Sequence, residues 1–328
     1  MVEAYRAAGA AVRRASIRPL ASRRPFALGR SVGSLAALVR RERLDVLFTS
    51  QVSYVSLLAA VSLMTGVRSA VHLGVAYEFP SPLFWTAARF VGMGIAPSEH
   101  TAEAWRRRGW RSGALQVVPN GVDTSVFCPG PRPAARARLR LSEDVPTVAY
   151  VGRLVREKGI LTLLRAFARY RQKAQTGRLL LVGEAPGDQI AELHRVADEQ
   201  GLKKDAWQVR EPTSAPEDVY RAADLVVVPS EWDEPFGLVA LEAGACGVVT
   251  VVSDRGVLPS LVAPLGDSAV FPAGDSGALA ARLACWLGAS PAGRDAAGAR
   301  LGGFVAEHYP FRRCGDAYLG VFEQLIAS

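Results

Sequence analysis

Residues 230–247 read SEWDEPFGLVALEAGACG and follow an all-apolar run, LVVVPS, that begins at Leu225. Leu225 to Val228 has the β-branched, non-alternating character of a strand covered on both faces of a parallel sheet, and Pro229 stops it. The residues after Gly237 favour a helix, so the stretch is a strand, a loop and a helix start. The first N–H groups of a helix lack internal partners and sit at the positive end of its dipole. Amides near Phe236, Gly237 and Leu238 therefore suit a diphosphate, and Gly237 lets that backbone come close. Two carboxylates frame the turn. Glu234 lies just before the helix and Glu242 one to two turns into it, roughly 9–12 Å away at ~1.5 Å rise per residue. The pair also reads as favourable charge placement on a solvated face.

Outward from this stretch, strands and helices alternate, which implies parallel sheets covered on both sides. The chain has 328 residues, 49% of them hydrophobic and 21% charged, enough for two globular domains. In the second half we read strands near 147–152, 179–182, 207–210, 225–229, 248–253 and 269–271. Helices between them include 160–173 and 189–200, and the whole is a complete six-stranded doubly wound domain. In the first half strands are expected near 11–17, 45–49, 69–73, 94–97 and 115–118. The opening VEAYRAAGAAV reads as the end of a helix entering a strand. Residues 129–140, PGPRPAARARLR, are proline- and arginine-rich and read as a linker. Residues 311–327 have helical spacing with Tyr318, Leu319, Phe322 and Leu325 on one side.

EPFGLVALEAGACG resembles the E-x7-E motif of the family 4 retaining glycosyltransferases (glycosyl transferases group 1). Other pieces agree in order. PNGVD (119–123) with Phe127 and Pro129 is similar to the family's segment joining two domains, VGRLVREKG (151–159) to its donor-phosphate segment, and LLLVGEAPGD (179–188) to the following strand and glycine turn. The resemblance runs from about residue 40 to the C-terminus. It implies an α/β GT-B fold, two Rossmann-like doubly wound domains facing a cleft. The implied domains are an acceptor-side domain at 1–128, a nucleotide-sugar donor domain at 129–310, and a terminal helix at 311–328 crossing back to the first. The first domain departs from the family pattern. Its first strand, glycine-rich loop and most of the helix that follows, roughly 25 residues in all, are expected to be absent. A start assigned inside a longer reading frame is one explanation; a natural truncation that only binds, or needs a partner chain, is the other. A second departure follows Asp254, where RGVLPS keeps one glycine and has serine at the family's acidic place. No site residue is carried from that loop.

Gly152, Arg153 and Lys158 follow the strand PTVAYVG, at the C-terminal end where open α/β sheets bind ligands. A guanidinium can hold a diphosphate oxygen bidentately and an ammonium adds a compact charge. A surface ion cluster with Glu157 is the plainer reading. By resemblance, Arg153 and Lys158 neutralise the leaving diphosphate, Glu234 positions the donor sugar and Glu242 holds ribose hydroxyls. His72, ending the strand SAVHL, stands where the family often has a histidine facing the donor sugar; a lone histidine at a strand end is also commonly structural. PNGVD reads as structural, because Asn-Gly is a turn signal. The implied reaction moves a hexose from a nucleotide diphosphate sugar to an acceptor hydroxyl with retention. Polysaccharide, glycolipid or glycosylated-metabolite synthesis is the implied setting. The donor is a substrate; no cofactor and no metal are implied. A non-catalytic sugar-nucleotide-binding or partner subunit is the alternative.

Residues 1–125 carry 16 Lys/Arg and 7 Asp/Glu, whereas the rest of the chain is close to neutral. The first half is thus a candidate surface for an anionic acceptor or membrane headgroups, against a merely solvated surface. No nucleic-acid motif accompanies the charge. Cys128, Cys246, Cys285 and Cys314 are widely spaced, which argues against a disulfide framework or zinc site. The N-terminus lacks a signal-peptide pattern and the longest apolar stretch, 55–67, is too short to span a bilayer. A cytoplasmic location is expected, with peripheral contact at the membrane face left open.

Overall fold

The computed structural model describes residues 25–75, 82–111 and 115–328. The strand expected near residues 11–17 lies outside them. The chain divides into two units, Met1–Val117 with Leu319–Ser328, and Val118–Tyr318.

In the first unit, α1 (Pro25–Glu42), β1 (Val46–Thr49), α2 (Val55–Thr65), β2 (Arg68–His72), α3 (Pro82–Ala88), β3 (Met93–Ala96), α4 (Glu99–Arg107) and β4 (Leu115–Val117) alternate. The described strands form a parallel sheet in the order β1-β2-β3-β4. One apolar cluster joins Ala36, Val39, Leu47 and Val61, and another joins Val71, Phe84, Trp105 and Trp110. The 55–67 stretch is largely the buried helix α2, whose apolar character serves this core. Among the described residues no helix is long and apolar enough to cross a membrane.

The C-terminal helix, Phe311–Ala327, is where the sequence pattern needs correction. Val321 and Leu325 are buried, but Leu319 is 59% exposed. The inward stripe follows 318, 321, 322 and 325, the i, i+3, i+4, i+7 positions, and Leu319 falls off it. Phe322 meets Phe48 edge-on at 5.7 Å. Position 92 must be glycine-sized, since a Cβ there would lie 2.8 Å from Leu325 Cδ2.

The second unit opens with α5 (Arg132–Arg138), inside the segment read as a linker. Its arginines are structural: buried Arg136 donates to the Ala222 carbonyl at 3.0 Å and to Asp224 at 2.5 Å, so a compositional linker signal was overridden by buried ion pairing. Then come β5 (Thr147–Val151), α6 (Ile160–Ala174), β6 (Arg178–Val182), α7 (Gln189–Glu199), β7 (Trp207–Arg210), α8 (Pro216–Ala222), β8 (Leu225–Val228), α9 (Leu238–Ala245), β9 (Thr250–Ser253), α10 (Leu258–Leu261), β10 (Val270–Phe271), α11 (Ser276–Gly288) and α12 (Pro291–His308). The six parallel strands take the order β10-β9-β8-β5-β6-β7. In sequence terms this is 3-2-1-4-5-6 read from the β7 edge, the doubly wound order. Order reverses between β5 and β8, and the crevice beyond their C-terminal ends is where such sheets bind ligands.

Candidate functional site

Beyond β5 and β8 lies a cavity of about 300 Å³, at the small end of ligand pockets. Gly152, Lys158, Glu234, Phe236, Gly237 and Leu238 line it, together with Asn120, Tyr150 and Ser230. Six of the residues expected from sequence therefore meet on one wall within the second unit.

Glu234 is buried, with 8% of its surface exposed, which removes the solvated-face reading. Lys158 Nζ donates to its two oxygens at 3.0 and 2.8 Å. Ser230 Oγ and Trp232 Nε1 donate to Oε2 at 2.8 and 3.0 Å. The ammonium also stands 4.9 Å from the Trp232 ring, over its negative face. The ion cluster is thus Lys158 with Glu234, and not the surface pair with Glu157.

The helix start behaves as the turn argument requires. Gly237 caps α9 with φ +82°, a left-handed conformation that disfavours a side chain, and a Cβ there would meet Leu258 Cδ2 at 2.6 Å. Among the described residues the amides of Phe236, Gly237 and Leu238 donate to no protein acceptor. They form the anion-receptive end of α9.

Arg153 and Glu242 stand outside the cavity wall. Arg153 is exposed, its guanidinium makes no protein hydrogen bond or ion pair among the described residues, and its carbonyl accepts from Tyr150 Oη at 2.7 Å. Glu242 accepts from Tyr220 Oη at 2.7 Å. Burial pushes the Glu242 carboxyl above its usual range, and the Tyr220 hydrogen bond pulls the other way. Tyr150 and Tyr220 are themselves held protonated by burial and by nearby carboxylates. His72 ends β2 in the first unit, opposite Ile95, and burial lowers its pKa, favouring the neutral imidazole.

Sequence reasoning missed several neighbours. Asn120, read as a turn residue, lines the cavity. Ser230 and Trp232 were inside the quoted motif, and their polar hydrogens beside a buried carboxylate were the available signal. The loop after Asp254, from which no site residue was taken, buttresses Glu234: Val257 N–H donates to the Glu234 carbonyl at 3.2 Å. At Gly256 (φ +57°) a Cβ would lie 2.2 Å from that carbonyl oxygen. The single glycine retained in that loop was its trace in sequence. Among the described residues no cluster of three His, Cys, Asp or Glu side chains could hold a metal ion.

Residues 131–296 match the model of the family described as glycosyl transferases group 1, half of the chain. The chain belongs to this family. Residues 3–126 match the model described as glycosyltransferase family 4. Among curated relatives of this group 1 chain, D-inositol 3-phosphate glycosyltransferase of Mycolicibacterium smegmatis is 42% identical over 219 residues, 65% of this chain and 48% of the relative. The protein of the same name from Segniliparus rotundus is 43% identical over 153 residues, 45% of this chain and 34% of the relative. The chain spans between a third and a half of the length of these relatives. In solved structures, sucrose-phosphate synthase from Thermosynechococcus elongatus superposes with TM-score 0.76 at 27% identity, covering 96% of this chain and 85% of that one. Anabaena HepE in complex with UDP gives TM-score 0.81 at 21% identity, covering 90% and 82%, a likeness of fold. The group 1 chain thus has the two-domain α/β GT-B fold.

Proposed function

We propose that this chain transfers a hexose from a nucleotide diphosphate sugar to an acceptor hydroxyl, with retention at the anomeric carbon and without a metal ion. The observation that carries the reading is the Lys158–Glu234 pair set beside the amides that open α9, which have no acceptor among the described residues, at the point where strand order reverses. A departing diphosphate needs positive charge that is already in place, and preorganised donors in a shielded pocket supply the largest part of such stabilisation. Lys158 and the amides of residues 236–238 meet the diphosphate oxygens, and Arg153, which has no hydrogen-bond or ion-pair partner among the described residues, adds a bidentate fork. Glu234, once Lys158 turns to phosphate, accepts from hydroxyls of the donor sugar. Glu242 takes the ribose hydroxyls, and His72 is the first unit's candidate catalytic group. The relatives' shared name favours a small phosphorylated polyol as acceptor over a polysaccharide or lipid.

The test is nucleotide release from UDP-, GDP- and ADP-sugars, with D-inositol 3-phosphate and neutral polyols as acceptors and Glu234→Ala as control. The expected result is acceptor-dependent release that the substitution abolishes, with a product of unchanged anomeric configuration by NMR. Binding of nucleotide sugars with no release from any donor–acceptor pair would overturn the proposal in favour of a binding subunit.

A further inference from the structure

The first unit's sheet has two edges of different chemistry. Its helices run antiparallel to its strands, so the connections entering β1, β2, β3 and β4 gather at the N-terminal edge, away from the edge where such sheets bind ligands. The register fixes this: Val46, the first residue of β1, lies opposite Arg68, the first of β2, and Met93 and Leu115 open β3 and β4. At this edge Arg40, Arg41, Arg43, Arg68, Arg89 and Arg111 are all exposed. Their hydrogen bonds leave most of the charge outward. Arg40 donates to the Met64 carbonyl at 2.9 Å, tying the ends of α1 and α2 together, and Arg111 to the Val91 carbonyl at 3.3 Å. Arg41 pairs with Glu42, itself partly exposed, and Asp45 is the other acid in these connections.

Between the arginines stand apolar side chains that the core does not take: Leu63 is 65% exposed, Met64 52%, Phe90 49% and Leu44 38%. Arginines near helix C-termini have a plain electrostatic use. That use gives no reason for four large apolar groups to sit in water at the same edge. The combination of a cationic surface with protruding apolar side chains complements an anionic bilayer, where guanidinium groups meet headgroups and the apolar groups enter the interface. A nucleic-acid or acidic-protein partner would use the charge and leave Leu63 and Met64 without a role.

We propose that the N-terminal edge of the first unit's sheet is a peripheral membrane-docking face for anionic lipid. Strands of three to five residues put this edge roughly 10–15 Å from the opposite, ligand-binding edge at ~3.3 Å per residue. Docking thus holds the protein at the surface without covering that edge, and a water-soluble acceptor keeps its access. The inference stands apart from the proposed transferase activity.

The experiment is flotation of the full chain with vesicles of 30% phosphatidylglycerol in phosphatidylcholine, against pure phosphatidylcholine, over a range of salt. Binding to the anionic vesicles alone, weakening with salt, is expected. At about fivefold per basic residue near such a surface, Arg41→Gln, Arg43→Gln, Arg68→Gln and Arg89→Gln together lower partitioning several hundredfold. Leu63→Ser with Met64→Ser lowers it at least tenfold while leaving retention on heparin unchanged. Both variants keep wild-type melting temperature and nucleotide affinity. Equal binding to neutral and anionic vesicles, or wild-type binding by the arginine variant, overturns the proposal. So does an apolar variant that binds vesicles as wild type does, which reassigns the face to soluble polyanions.

Discussion

Replacing Lys158 by methionine and Glu234 by glutamine, singly and together, separates what each member of the buried pair does. Lys158 and Glu234 side chains are 18% and 11% exposed, and the pair is made through two short hydrogen bonds. Lys158→Met leaves an ionised carboxylate with two donors, Ser230 and Trp232. Removing one partner of a fully buried pair costs about 3–5 kcal/mol. The two remaining donors and the cavity mouth reduce this to about 2–3 kcal/mol, within the range of hydrogen bonds to charged groups. Glu234→Gln leaves an ammonium beside an indole face and an open cavity, at about 1 kcal/mol. The double variant relieves the stranded charge, so the two effects fail to add by about 1–3 kcal/mol. Urea unfolding measures all four proteins. Calorimetric titration with UDP, GDP and ADP then reads the other half: Lys158→Met weakens binding of the preferred nucleotide 10- to 100-fold. Glu234→Gln leaves it equal or tighter, because phosphate no longer competes with a carboxylate for the ammonium. Additive stabilities, or a Glu234→Gln protein that loses nucleotide as Lys158→Met does, would refute the idea that donor phosphate and Glu234 share one cation.

Arg153→Ala changes stability by less than about 0.5 kcal/mol, as suits an exposed side chain with no partner among the described residues, yet weakens nucleotide diphosphate binding about tenfold in the same titration. Glu242 holds its proton to higher pH in the fold than its ordinary 4.5, so the folded state binds more protons in that window. Its contribution to stability is fullest below pH 4.5 and is lost as pH rises through the raised value. Urea midpoints across pH 4–8 show this slope in the wild type, a flatter line in Glu242→Gln, and a window moved upward in Tyr220→Phe, which lacks the hydrogen bond that lowers the carboxyl. Gly256→Ala drives a Cβ into the Glu234 carbonyl, 2.2 Å away at positive φ, and loses donor binding together with several degrees of melting temperature.

The second unit was legible because its strands are continuous apolar runs and the turn after β8 is built from local chemistry. Pro229 ends a strand, Gly237 permits a left-handed cap, and the amides that follow are free by the geometry of any helix start. The six strands expected there all exist, with boundaries moved by two residues at most, as at Thr250 where β9 begins. What could not be read were the meetings between segments far apart in sequence. Asn120 and Glu234 are brought to one cavity by the sheet, and nothing in PNGVD says so. Arg136 looked like linker charge because its acid, Asp224, is 88 residues away. Leu319 was placed inward on a count of apolar residues, when about a third of a turn separates it from the middle of the stripe its helix buries.

The glycine of VREKG shows how a motif residue can act on chemistry without touching it. Gly159 has φ +70°, and a Cβ there would sit 1.7 Å from the Pro229 carbonyl oxygen. No rotamer relieves a collision with backbone, so the position admits only hydrogen. That contact brings the loop after β5 against the end of β8, and Glu231 N–H donates to the Glu157 carbonyl at 2.9 Å across the same seam. Lys158 lies between these two points and reaches Glu234 because the seam is closed. A side chain at position 159 would push the loop outward by more than an ångström, and the hydrogen bonds at 2.8 and 3.0 Å would open first. The sequence spacing between the lysine and the glutamate is 76 residues, but the distance between their charges is set at a glycine that has no side chain to offer.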